Sequence, residues 1–188
     1  MLENLINLVK EHAGDSIVNN PAIPNENNEA AIQSAGESIA GGLQNIIGSG
    51  GLKDVLKMFG GQGSDVSSSP VAQQLSGNVI QDLMSKFNLD QGAASNIASS
   101  LVPNVLSNLV DKTNNPSDSS FDIQGIFNSL SGGKTGGLDI QGLLGKATSG
   151  GLDKDGDGDT DLQDVMSMFG GGGKGNGIMD TVKGLFGS

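Results

Sequence analysis

Six aspartates lie close together near the end of the chain, in the segment DKDGDGDTDLQD at 153–164. A calcium loop of about twelve residues needs this order, because Ca²⁺ takes six to eight oxygen ligands and alternate side chains turn inward around it. Gly158 falls at the sharp turn of such a loop, where a residue without a Cβ is required. The spacing therefore predicts one Ca²⁺ site. Its expected ligands are the carboxylates of Asp153, Asp155, Asp157, Asp161 (through a water) and Asp164, and the carbonyl of Asp159.

The charge of this segment favours the same interpretation. Its six Asp and one Lys carry five of the eleven net negative charges of the chain. Without a cation, repulsion among these carboxylates would keep the loop open. The alternative is a solvated acidic turn that binds no metal.

The segment resembles an EF-hand loop, and more closely the dockerin and thrombospondin type 3 loops, which end in Asp rather than Glu. It departs from paired EF-hands at Thr160, where a larger aliphatic residue is usual, and at Ser149-Gly150-Gly151, which interrupts the entering helix. The sequence holds no second loop, whereas sensors couple two loops. We therefore expect a structural cation, with Asp161 capping an exiting helix at 162–169.

Other chemical motifs are weak. The chain has one histidine, His12, and no cysteine, so a serine triad would have to be built around a residue at a helix end. The segment NSLSGGKT at 128–135 is similar to a phosphate-binding loop, but Asn128 replaces its first glycine and Gly136-Gly137 follows it. We therefore interpret it as a glycine turn and expect no enzyme activity.

Composition restricts the partners. A net charge of -11 opposes binding to nucleic acid or to an anionic membrane surface. We expect no membrane span, because no uncharged apolar run approaches the ~18 residues that a span needs. The N-terminal segment lacks the features of a signal peptide, although a structural calcium loop slightly favours an extracellular or cell-surface location over the cytoplasm.

Short amphipathic helices separated by Gly- and Asn-rich turns make up the rest of the sequence, which predicts an all-α bundle. Ser69-Pro70 predicts a helix start, and Asn28, Asp90, Asp122 and Asp139 are expected N-caps. Pro103 interrupts an apolar helical pattern, which predicts a kink or a break. We expect Gly36, Gly41 and Gly42 to allow close packing of helices.

Internal repeats suggest how the chain is organised. Matching apolar positions are consistent with a helical domain 1–131 built from two related halves, 1–61 and 70–131, although Ala-rich helices match one another easily. SGGLKDVLKMFGG at 49–61 returns at 149–171 in a copy ten residues longer, with the nine residues DKDGDGDTD between Leu152 and Leu162. FDIQGIFNSL at 121–130 returns as LDIQGLLGKA at 138–147. The remainder, 132–188, is a predicted Gly-rich region with the calcium loop and a terminal helix at 178–186.

The opening LENLINLVK helix, the SLVPNVLSNLV run, the Gly-rich tail and the late DKDGDGD loop together resemble the YidB-like family of bacterial proteins. That resemblance implies a helical fold and no assigned activity. The Pro- and Asn-rich insert at 19–28 and the duplication depart from the family pattern.

Two functions agree with these observations. The first is a calcium-binding structural protein that self-associates as a homo-oligomer or a filament. The second is a calcium-dependent, dockerin-like module that binds a different protein. A single loop favours the first.

Overall fold

The structure, a computed structural model, describes residues 2–60, 66–115, 121–133 and 135–148. Seven α-helices occupy these ranges, with no strand among the described residues, which confirms the all-α prediction. They are α1 (Leu2–His12), α2 (Asn28–Gly48), α3 (Leu52–Phe59), α4 (Pro70–Phe87), α5 (Gln91–Thr113), α6 (Ile123–Leu130) and α7 (Ile140–Thr148). A π-helical turn, Gly14–Val18, follows α1, and 3₁₀ turns precede α2 and α4.

The longer helices form the centre of the bundle. Helix α2 packs on α1 and α4, and α5 packs on the same two helices. Apolar side chains recur every three or four residues along each helix and are buried, as in Leu43 of α2, Leu75 of α4 and Leu101 of α5. This shared apolar core is what stabilises the bundle.

The three short helices pack together beside α2. Helix α3 contacts α2 and α7, and α6 contacts α2 and α7. Phe59 of α3 and Phe127 of α6 meet edge to face, with ring centroids 5.5 Å apart and planes at 67°. Helices of about two turns are unstable in water alone, so this mutual burial is needed for them to form.

Most of the predicted helix starts are confirmed. The Ser69 hydroxyl accepts a hydrogen bond from the N–H of Ala72, and Pro70 is the first residue of α4. Asp90 accepts from the N–H groups of Gly92 and Ala93. Asp122 and Asp139 each accept from a backbone N–H three residues further on. These caps satisfy donors that have no partner inside the helix.

Two local predictions are wrong. Asn28 is the first residue of α2 and not its N-cap; the cap position is Asn27, whose side chain makes no capping bond. The Asn28 amide instead points back toward the Val18 carbonyl, 3.4 Å away. Gly41 is exposed and makes no close helix contact, because it lies on the outer side of α2.

Pro103 does not break its helix. Helix α5 continues through it to Thr113, so a break is excluded. Proline removes one backbone hydrogen bond, but buried residues on both sides, Leu101, Val102, Val105 and Leu106, hold the helix against the core.

None of the helices in the described ranges combines the length and the hydropathy that crossing a bilayer requires. The proposed division into 1–131 and 132–188, and the two halves of the first part, stay predictions.

Candidate functional site

The predicted metal ligands Asp153, Asp155, Asp157, Asp159, Asp161 and Asp164 lie outside the described residues, as do the predicted helices at 162–169 and 178–186. Within the described ranges, no group of three or more His, Asp or Glu side chains could hold a metal ion. The described residues therefore show only the structural framework that precedes the loop in the chain.

That framework is α7, which packs on α3 and α6 and is hydrogen-bonded to one side chain of α6. The Gln124 carboxamide accepts a hydrogen bond from the N–H of Ile140, the first residue of α7, at 3.1 Å. Its Nε2 donates to the Leu138 carbonyl at 2.9 Å and to the Thr135 carbonyl at 3.3 Å. Gln124 thus satisfies backbone groups of the connection and of the first turn of α7. Asp153 follows the end of α7, Thr148, after only four intervening residues, 149–152.

The connection between α6 and α7 contains the segment that is similar to a phosphate loop. Its Ser131 and Thr135 side chains are buried and lie 2.9 Å apart, Oγ to Oγ1. The Thr135 N–H donates to Ser131 Oγ at 3.0 Å, so this donor is used inside the turn. Gly132 and Gly133 adopt positive φ, and α7 begins only at Ile140. The glycine-turn interpretation is confirmed, because a phosphate loop presents free N–H groups at a helix N-terminus.

Helix α3 shows how the copy without the acidic insert is folded. Its residues Leu52, Val55, Leu56, Met58 and Phe59 are buried. They match Leu162, Val165, Met166, Met168 and Phe169 of the second copy. Asp54, the counterpart of the expected ligand Asp164, is exposed in the first turn of α3. Asp54 therefore has the same neighbouring residues in the repeat as Asp164 but is not preceded by the acidic loop.

An apolar groove lies where α1, α2 and α6 meet, and we call it the α1–α2–α6 groove. Its volume is about 330 Å³, and its lining residues are Leu2, Glu37, Ala40, Gly41, Gln44, Ser129 and Leu130. Leu2 keeps 44% of its surface exposed, although it is a large apolar residue. Glu37 and Gln44 are exposed, so the groove has an apolar floor and polar residues at its edge.

A second, polar groove separates α2 from α4. Its volume is about 300 Å³, and it is lined by Ser38, Gly41, Gly42, Asn45, Asn78, Gln81 and Asp82. Beside it, the Lys86 ammonium pairs with the Asp82 carboxylate at 3.3 Å and donates to the buried Ser34 hydroxyl at 3.1 Å. Lys86 thus joins Ser34 of α2 to Asp82 of α4.

His12 is the last residue of α1 and is partly buried. It lies at a helix end, as expected from the sequence.

Neither the Gln124 contact nor the α1–α2–α6 groove was predicted from the sequence. Gln124 and Gln141 occupy the same place in the two DIQG segments, yet Gln141 is exposed. The repeat therefore could not have shown which glutamine joins two helices.

Comparison with family models, curated proteins and solved structures finds no match for this chain. The resemblances to the YidB-like family and to calcium loops stay predictions from the sequence.

Proposed function

We propose that this protein is a calcium-binding structural protein that self-associates, with one Ca²⁺ held as a structural cation by the loop at 153–164. The observation that carries the proposal is the order of the acidic residues, which matches the oxygen ligands of a twelve-residue calcium loop.

The repeat adds support. The acidic insert stands inside a second copy of a segment whose first copy ends in helix α3. A calcium loop needs a helix to follow it, and the second copy keeps the apolar residues that α3 buries. The entering side continues from α7, which is held by Gln124. We propose that Ca²⁺ binding fixes the direction of the second copy relative to α7.

Self-association is the second part of the proposal. The apolar segments at 162–169 and 178–186 each hold only a few apolar residues, and helices of that length need burial against another surface. Among the described residues, the α1–α2–α6 groove is open, and Leu2, which lines it, is exposed. These unburied surfaces favour contacts between copies.

Calorimetry on the full-length protein tests the calcium site. After removal of divalent cations with a chelator, Ca²⁺ is titrated into the wild type, Asp164→Ala and Asp54→Ala. Asp54 is the matched control because it is the same residue in the copy that lacks the insert. We expect one Ca²⁺ per chain for the wild type and Asp54→Ala, and a loss of binding for Asp164→Ala. Equal binding by both variants, or no binding by any, would refute the site.

Sedimentation velocity with and without Ca²⁺ tests the assembly. We expect wild-type oligomers or filaments that depend on protein concentration. A monomer at all concentrations would contradict self-association.

A loop ending in Asp also favours the alternative, a dockerin-like module that binds another protein. That function predicts calcium binding by a monomer. Calcium binding without assembly would therefore favour the module over the structural protein.

A further inference from the structure

We infer that the α1–α2–α6 groove binds the terminal segment 178–186 of a second copy of this chain. The inference rests on the proposed self-association and names the surfaces that would carry it. The groove is within the range of volume of ligand pockets, ~300–1,000 Å³, but near its lower end. It therefore suits a few apolar side chains of a short helix.

The floor of the groove is apolar and comes from three helices. Leu2 begins α1, Ala40 lies midway along α2, and Leu130 ends α6. Ala40 and Leu130 are 6% and 3% exposed, while Leu2 keeps 44%. A side chain placed against Leu2 would remove apolar surface from water without rearranging the buried core.

The terminal segment IMDTVKGLF has the pattern that such a groove requires. Its apolar residues Ile178, Val182, Leu185 and Phe186 recur at intervals of three or four, which places them on one face of a helix. A helix of nine residues is about 13 Å long, or two and a half turns. Such a helix would expose its apolar face to water unless another surface covered that face.

The charges are complementary. Residues 174–188 contain Lys174 and Lys183 against one acid, Asp180, in a chain whose net charge is -11. Glu37 lies at the edge of the groove and Glu3 is exposed next to Leu2. Lys174 and Lys183 would therefore meet an acidic edge, which favours binding in the correct orientation.

The chain is long enough to reach a neighbour. Residues 149–177 separate the described end of α7 from the segment. At ~3.3–3.6 Å per extended residue, that stretch spans up to about 100 Å, several times what a contact between adjacent copies needs. Each copy can then donate its terminal segment to one neighbour and accept that of another. Repetition of this contact produces closed rings or filaments.

Disulfide trapping tests the inference, because the natural chain has no cysteine. One full-length chain carries Gln44→Cys in the groove, and a second, mass-tagged chain carries Gly184→Cys on the side of the segment that lacks apolar residues. Gln81→Cys is the matched control, because Gln81 is also exposed but lines the polar groove. The mixtures are oxidised in Ca²⁺, and their products are separated without reductant.

We expect the Gln44→Cys mixture to give a tagged heterodimer in at least fivefold higher yield than the Gln81→Cys mixture. Equal yields would overturn the inference. A chain with both Gln44→Cys and Gly184→Cys that forms its disulfide within a monomer, with no heterodimer in the mixture, would also overturn it, because the groove then binds its own segment.

Sedimentation of the unmodified wild type distinguishes a failure of the groove contact from a failure of the proposed self-association. Oligomers without the specific heterodimer refute only the groove as the contact. A monomeric wild type refutes the self-association and the inference together.

A second pair of variants avoids any effect of added thiols. Leu2→Gln removes apolar surface at the groove, and Val18→Gln changes a residue with nearly equal exposure, 43%, on the turn after α1. We expect Leu2→Gln to weaken association about tenfold and Val18→Gln to leave it unchanged. Equal effects of the two variants would count against the groove.

Discussion

Gln124 on α6 accepts a hydrogen bond from the backbone N–H of Ile140, the first residue of α7, at 3.1 Å. The first N–H groups of a helix have no partner within the helix, so an acceptor from elsewhere must satisfy them. Gln124 provides one such acceptor, and the Leu138 carbonyl, at 3.1 Å from the same N–H, provides another. Gln124 also donates to the Leu138 and Thr135 carbonyls. Gln124 thus links α6 to the connection before α7 and to the first residue of α7.

Replacing Gln124 is expected to destabilise the protein. Gln124→Ala removes three side-chain hydrogen bonds, but the Ile140 N–H and the Leu138 and Thr135 carbonyls keep backbone partners. This predicts a loss of about 0.5–1.5 kcal/mol in the free energy of unfolding. Gln141→Ala, in the second DIQG segment and exposed, should change it by less than about 0.5 kcal/mol. Denaturant unfolding of the full-length chain measures both, and similar losses would show that the Gln124 contact is unimportant.

Adjacent glycines on α2 should respond in opposite directions to alanine. A Cβ at Gly42 would overlap Leu75 Cδ2 and lie 2.9 Å from Asn78 Nδ2, and Leu75 is fully buried. Gly42→Ala should therefore cost about 1–3 kcal/mol in stability.

A Cβ at Gly41 would meet no described atom within 4 Å. Gly41→Ala should therefore stabilise the protein by about 0.5–1 kcal/mol, because alanine is the better helix former. Thermal unfolding of the two variants checks the pair. A stabilising Gly42→Ala would mean that α2 and α4 are not closely packed at this point.

The cap of α5 should contribute to stability through its side chain. Asp90→Ala removes the acceptor for the Gly92 and Ala93 N–H groups and should lower the free energy of unfolding by about 1 kcal/mol.

Asp111, an exposed acid in the last turn of the same helix, is the control. Asp111→Ala should be neutral or slightly stabilising, because a negative charge at a helix C-terminus is unfavourable. Urea titration distinguishes the two variants, and equal effects would indicate a general effect of charge instead of capping.

Calcium should raise the melting temperature through the proposed site. At free Ca²⁺ about 100 times the dissociation constant, binding to the folded state alone adds about 2.7 kcal/mol of stability. Asp157→Ala should remove most of this gain, and Asp54→Ala should keep it. Melting curves in Ca²⁺ and in chelator measure the difference; an unchanged wild-type curve would contradict a structural role for the cation.

The sequence by itself determined the features that depend on neighbouring residues. Periodic apolar residues gave the helices, and Ser69, Asp90, Asp122 and Asp139 marked where helices begin, because a cap bonds N–H groups only two or three residues away. The candidate calcium ligands are likewise a local pattern, since a single loop of twelve residues contains all of them.

Only the tertiary structure decided the features that depend on another helix. The local sequence pattern does not distinguish Gly41 from Gly42, yet only Gly42 faces Leu75. Pro103 lacks an N–H, but packing on both sides of it carries α5 through. Gln124 and Gln141 share a motif, and their different environments arise because α6 lies against the start of α7. Packing brings together residues that are distant in the chain. The preference of each residue for a local conformation does not specify which helix faces pack against each other.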